Sequence, residues 1–406
     1  LADIAEAGFL GGEHDAALAS GRRALELGQS DRALLPVLIA VSNSLGKVAL
    51  EQGDYGEAAR RFEANLGDAR AAGVTPEVAR PLINLGIASL RAGDHERAER
   101  CYQDGLDAAK DAGDHRHRAF CLQNLGVLAQ WRRDYRAALG HYQEAVAAFK
   151  RIGHRSWLAW VALDLGDLYL GLGDAGHAQG MTEFAARLQG EGAPPTMLVI
   201  LENLRGRIAV CEGKLELGQQ HFASARSQAL KVGNREELAL SLFNLAQLAL
   251  TRGDLAGARS HLGELGEPPS RKAAAQARLL EVDVALATRG GTAELRIALD
   301  EAAAAYVKLG DPEGEMRARV RLAELLGAAG DAKGYERERK AAARAAAEVR
   351  ASVPAEFLAA FDADADRRKL QAMMGWTAVA LDVPAPTQAQ TPPKAETVAV
   401  AAPGAA

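Results

Sequence analysis

Residues 171–176, Gly-Leu-Gly-Asp-Ala-Gly, have the spacing G-x-G-x-x-G. At the end of a β-strand those glycines would let backbone N–H groups cradle a pyrophosphate. His115 and His117 form an H-x-H pair that could open a metal site. Two histidines are too few for a site, and no third ligand stands at helical spacing from them, so a solvated loop is expected. The thiols are Cys101, Cys121 and Cys211, none in a C-x-x-C pair, which fits reduced and mostly buried cysteines in a cytoplasmic protein. No G-x-S-x-G, H-E-x-x-H or Walker sequence occurs, and nothing assembles a nucleophile, a base and a group to orient it. The expectation is no enzyme, no cofactor and no metal.

The elements around the glycines decide what they do. A dinucleotide loop needs a strand before it, yet Trp157–Leu170 precedes Gly171 with apolar residues at helical spacing. The stretch also recurs. Gly53-Asp54, Gly93-Asp94, Arg133-Asp134, Gly173-Asp174, Gly213-Lys214 and Gly253-Asp254 follow one another every 40 residues. Weaker copies stand at Gly12, Gly290 and Gly330. Gly ending one helix and Asp capping the next is the signature of a helix-joining turn. A second turn signal falls midway through each unit, at Gly28, Gly73, Gly113, Gly153, Gly233 and Gly310, often after a basic residue that suits the negative end of a helix. Each unit thus reads as two antiparallel helices. The chain reads as all-α, a right-handed superhelical solenoid of about nine such hairpins, each packed mainly on its neighbours.

Composition agrees. Of 406 residues, aromatics are only 5%, as suits helices packed through small side chains. A net charge of −5 gives no nucleic-acid footprint, and no apolar run approaches a membrane span. The chain opens on Leu1 without a signal-peptide pattern, and a preceding module is expected to be missing.

The unit resembles the tetratricopeptide repeat. Leu45-Gly46, Gly53-Asp54-Tyr55, Ala58 and Phe62 stand at that repeat's landmark positions, as do Leu85-Gly86, Ala98 and Tyr102, then Leu125-Gly126, Asp134-Tyr135, Ala138 and Tyr142. The 40-residue length resembles the long-helix subgroup of kinesin light chains, spindle-orienting adaptors and MalT-like regulators. The likeness spans about residues 1–350. It fades at 190–200, where Pro194 and Pro195 fall, and at 263–275. Pro76 and Pro312 suit the first turn of a helix.

The resemblance implies that first helices line a concave groove. Just before each Leu-Gly stand Ser44, Asn84, Asn124, Asp164, Leu204 and Asn244. In long-repeat adaptors an Asn here resembles a rung that bonds a peptide backbone, since an amide both donates and accepts. A structural amide tied to the neighbouring hairpin is the alternative. The other expected groove residues are Arg80, Arg91, Gln123, Gln130, Trp131, Asp167, Arg207 and Gln247. Arg80 and Arg91 could receive a carboxylate, or be solvated surface arginines. Trp131 could anchor an apolar side chain or fill a gap between repeats. The Lys/Asn set of the chaperone-tail carboxylate clamp is not intact.

Residues 351–382 read as a connector or capping helix in which Phe357, Leu358 and Phe361 share a face, and 383–406 as a disordered Pro/Ala-rich tail. The functional expectation is a non-catalytic scaffold binding a peptide or partner protein, with no nucleic acid and no membrane. The alternative is the sensor arm of a larger bacterial signalling protein, a kinase or a transcription activator.

Overall fold

The computed structural model describes residues 14–28, 34–71, 73, 78–289 and 293–374. The helices are α1 (His14–Gly28), α2 (Leu35–Glu51), α3 (Tyr55–Ala71), α4 (Ala79–Ala92), α5 (His95–Asp111), α6 (His115–Trp131), α7 (Tyr135–Arg151), α8 (Arg155–Gly171) and α9 (Ala175–Gln189). They continue with α10 (Pro195–Cys211), α11 (Leu215–Val232), α12 (Arg235–Thr251), α13 (Leu255–Leu265), α14 (Arg271–Arg289), α15 (Ala293–Leu309), α16 (Pro312–Ala328), α17 (Ala332–Ser352), α18 (Leu358–Asp362) and α19 (Ala365–Met373). No strand occurs among the described residues, and the fold is an all-α solenoid of helix pairs. The copies at Gly12 and Gly290, Pro76 and the tail from 383 lie outside the described residues.

The turn at Gly173 shows how each pair is made. Gly173 takes φ 81°, and the Asp174 carboxylate then accepts the His177 N–H at 2.9 Å. Asp94 and Asp254 cap their helices in the same way. The G-x-G-x-x-G stretch is therefore a turn between α8 and α9.

Within a pair, the Leu-Gly glycine of the first helix meets an aromatic ring of the second. A Cβ on Gly46, Gly86, Gly126 or Gly206 would lie within 2.6 Å of Phe62, Tyr102, Tyr142 or Phe222. The pairing covaries along the chain: Gly166 faces Thr182, and where Ala246 replaces the glycine, Leu262 replaces the ring. The prolines shape the weaker repeats. Pro195 opens α10 after a short 3-10 turn at Gly190–Gly192, and α13 is cut to 11 residues before the 263–275 stretch.

First helices touch one another from pair to pair (α2 with α4, α4 with α6, and so on to α12 with α14), whereas second helices make no comparable contact. The ribbon therefore curves with first helices inside. It curves enough to meet itself. Arg133 contacts Asp311, 178 residues on, and the Tyr135 N–H meets Ser352, 217 residues on. One edge of the ribbon, carrying the 133 and 173 turns, is sealed against the opposite edge of the next superhelical turn. Residues 351–373 complete this closure. Phe361 packs edge-on against Tyr135 with ring centroids 5.7 Å apart, and Phe357 lies over Tyr169. Leu370 of α19 caps the last pair against Met316 and Val320.

Candidate functional site

The inner face is written in the first helices. Residues 80, 84, 87 and 91 of α4 form one stripe, and the same register gives 120, 124, 127, 131; 160, 164, 167, 171; 200, 204, 207, 211; and 240, 244, 247, 251. Nearly all of these are partly or fully exposed while their neighbours are buried, with Asn84 and Leu204 the exceptions. Spacings of three and four residues place them on one side of each helix.

The expected site residues divide by what they touch. The Asn84 amide donates to Asn43 at 2.5 Å and is buried. Asn124 donates to the Phe120 carbonyl of its own helix at 2.8 Å. The Asn244 Nδ2 is buried without a partner, and Gln247, one turn on, is exposed. Gln123 donates to Asp164 at 2.7 Å, and Gln130 to Asp167 at 2.6 Å while accepting the Tyr142 hydroxyl at 2.8 Å. Arg207 reaches across from α10 to Asp167. These bonds tie α6 to α8 and α8 to α10. Arg80 is half-buried and Arg91 exposed. About 16 Å of helical rise separates them, so they face different parts of the groove.

Trp131 lies at the seam. The Lys272 ammonium sits 4.2 Å from its ring centroid, and His95 meets it edge-on at 6.0 Å. Lys272 belongs to the following superhelical turn, so this indole joins turn to turn. Burial, with Arg133 nearby, pushes the Lys272 ammonium below its ordinary value.

Sequence reasoning missed the residue that closes the ribbon. Arg133 stands where other copies have Gly, and it is the one non-glycine with positive φ among the described residues, at 60°. Its guanidinium pairs with Asp311 at 3.1 Å and Glu313 at 3.4 Å. Such a backbone costs on the order of 1 kcal/mol, which the buried ion pairs offset. Glu313 also takes Arg367 at 2.7 Å, Arg317 at 3.1 Å and the Tyr135 hydroxyl at 3.1 Å. Burial would raise this carboxyl, but Arg133, Arg317 and Arg367 hold it at about 2. The signal was present as the single Gly-to-Arg exchange in the repeat. Phe120 and Trp160 were also missed, although both occupy the inner register.

Asp164 differs from Asp167. Burial pushes its carboxyl up to about 7, with the Asp167 charge adding and the Gln123 amide opposing. Asp167, although buried too, is held low by Arg207. A carboxyl raised in the folded state stabilises fully below about pH 4, and that contribution is lost as pH rises through about 7. We predict that Asp164→Asn, which keeps an acceptor for Gln123, matches the native chain near pH 4. At pH 8 it should be more stable by on the order of 2–4 kcal/mol. Thermal denaturation at the two pH values checks this; equal midpoints at pH 8 would contradict it.

The described residues contain no group of three or more His, Cys, Asp or Glu able to hold a metal, and no helix long and apolar enough to cross a membrane. Cys101 and Cys121 are buried, and burial pushes the Cys121 thiol up to about 12, which makes it unreactive. Of the H-x-H pair, the His117 Nδ1 lies 2.5 Å from the Asp114 carboxylate, which also caps α6.

A family model of the tetratricopeptide repeat matches residues 37–111 and 118–183. Among solved structures, a Rap protein complexed with competence and sporulation factor is similar with TM-score 0.61 and 12% identity, over 87% of this chain and 98% of that one. NprR in complex with its cognate peptide NprX gives 0.60 and 12%, over 84% and 98%. The apo form of the quorum sensor NprR from B. thuringiensis gives 0.55 and 12%, over 85% and 97%. At these identities the likeness is one of fold. No curated protein matches the chain.

Proposed function

Because this chain is a tetratricopeptide-repeat protein, we propose that it is a non-catalytic scaffold whose inner face binds an extended peptide or a segment of a partner protein. The observation that carries this reading is the stripe of inner-face positions repeated in register along successive first helices. An extended chain repeats its backbone groups regularly, and a regular array of side chains matches it without requiring one sequence. The solenoid is already folded, so the ordering cost falls on the ligand.

The inner-face residues take different parts in this reading. Asn244 and Gln247 supply uncommitted amides, and Arg91 supplies an exposed cation. Phe120 and Trp160 supply apolar surface for side chains. Asn84, Gln123 and Gln130 hold the helices in register beneath the ligand. Three free thiols suit a reducing, cytoplasmic setting. The structural likeness to a quorum sensor favours a regulatory form of the same reading, in which the groove is the input of a larger signalling protein.

A display library of random dodecapeptides, selected on the full chain, tests the proposal. We predict enriched peptides that lose at least tenfold in affinity against an Asn244→Ala, Gln247→Ala variant whose circular dichroism is unchanged. Equal binding to both would refute the assignment to the inner face.

A further inference from the structure

One row of the inner face is apolar across four successive first helices. Phe120, Trp160, Ile200 and Leu240 occupy the same place on α6, α8, α10 and α12, and each is half-buried beside a fully buried neighbour at 119, 159, 199 or 239. The rows on either side are polar. Arg116, Ser156, Thr196 and Glu236 stand one turn before, and Asn124, Asp164 and Asn244 one turn after, with Leu204 the exception. From this row, and resting on the peptide reading above, we infer that the ligand is a polyproline-II segment with an apolar side chain at every third position.

Spacing is the first argument. Packed helices lie about 8–10 Å apart from axis to axis. The four first helices contact one another in series, so the row offers one apolar foothold at about that interval. Three residues of polyproline II advance about 9.3 Å and complete one turn. Side chains at i, i+3, i+6 and i+9 therefore share one side and reach one helix each. In a β-strand the side chains of one face repeat about every 6.6 Å, and the third residue points away. An α-helix is about 10–12 Å across and would also cover the polar rows, which lie about 6 Å to either side.

Surface chemistry is the second. The Trp157 ring stands 4.6 Å from Phe120 and 6.4 Å from Trp160, so aromatic surface joins the first two footholds. Proline-rich segments dock in grooves lined by such rings. Among the described residues, the Trp160 indole N–H has no hydrogen-bond partner and reaches solvent. Polyproline II leaves its carbonyls unbonded, so one of them can accept this N–H, whereas a helix has already used its own.

Charge gives the segment its polarity. The Arg116 guanidinium lies 5.7 Å from the Phe120 ring centroid, and the nearby Asp114 carboxylate is taken by His117 and by the start of α6. Arg80 holds the row's position on α4. At the other end, Glu236 stands one turn from Leu240 with its Oε1 buried and without a partner. The end of the segment over Phe120 therefore carries an acidic residue, and the end over Leu240 a basic one.

The test is calorimetric titration of the full chain at low salt. The first probe is acetyl-Glu-Pro-Leu-Pro-Pro-Leu-Pro-Pro-Leu-Pro-Pro-Leu-Pro-Lys-amide. The second has the same composition with Leu at every second position, and the third is a helix-forming peptide of the same charge with Leu along one face. The first is expected to bind at least tenfold tighter than either of the others. A Trp160→Phe, Ile200→Ala variant with unchanged circular dichroism should weaken it at least tenfold. Replacing the Lys of the first probe by Glu should weaken it at least threefold, and equal affinity would overturn the assigned polarity. Equal or tighter binding of the second or third probe, no binding of the first, or binding indifferent to the two substitutions overturns the inference. Dodecapeptides selected on the full chain separate it from the reading it rests on. If they bind the inner face while the first probe does not, the inference falls and the peptide reading stands; if they do not bind there either, both fall.

Discussion

Glu313→Ala is expected to destabilise the chain by about 3–5 kcal/mol, because it leaves the buried Arg367 and the partly exposed Arg133 and Arg317 without their shared buried carboxylate. Arg133, Arg317 and Arg367 all converge on Glu313, which is only 7% exposed. The loss should be local: the helix pairs keep their own packing, and the closure between superhelical turns fails. Small-angle scattering should therefore show a larger radius of gyration than the native chain. Arg133→Gly separates the two effects. It relieves the left-handed backbone strain while removing the ion pairs, so it should loosen the superhelix at little cost to helix content. The sign of the pH dependence follows from the lowered Glu313 carboxyl. Its contribution is full above about pH 4.5 and is lost as pH falls through about 2. An unchanged scattering profile for both variants would mean that the aromatic contacts of Tyr135 and Phe361 close the ribbon by themselves.

Gly126→Leu should be comparably severe for a steric reason. Any Cβ at 126 would lie 2.6 Å from the Tyr142 ring, which is 1% exposed and has nowhere to move. Overpacking of this kind costs about 1–3 kcal/mol or more. Tyr142→Ala in the native background should cost about 3–5 kcal/mol by leaving a cavity. Combining the two gives the Leu side chain the vacated volume. The double variant should then be more stable than the sum of the single losses, by chemical denaturation. Strict additivity would show that the glycine and the ring are not in contact. Ala246 with Leu262 is the chain's own version of that exchange.

The fold was legible because one rule is repeated. A Gly-Asp turn every 40 residues, a small residue opposite a ring and a second turn midway each impose local geometry, and the solenoid follows by stacking. The inner face was legible for the same reason: the position before each Leu-Gly keeps one register on the first helices, and Asn124, Asp164 and Asn244 are partly exposed there. What register does not encode is the partner of each side chain. Asn84, Asn124 and Asn244 look alike in sequence, yet the first is tied to Asn43, the second to its own helix, and the third has a donor without a partner. The seam was invisible because its partners stand 178–217 residues apart, a separation set by the pitch of the whole superhelix. Trp131 shows the consequence, since its contact with Lys272 depends on that pitch.

The most direct measurement for the scaffold reading is site-specific photocross-linking in the source cells. A benzoylphenylalanine would replace Gln247 on the inner stripe in one variant and Ile297, which is 57% exposed on the second helix of a pair, in another. A discrete cross-linked protein or peptide is expected at 247 and none at 297. The same adduct at 297 alone would contradict the scaffold reading and move the binding surface to the outer face.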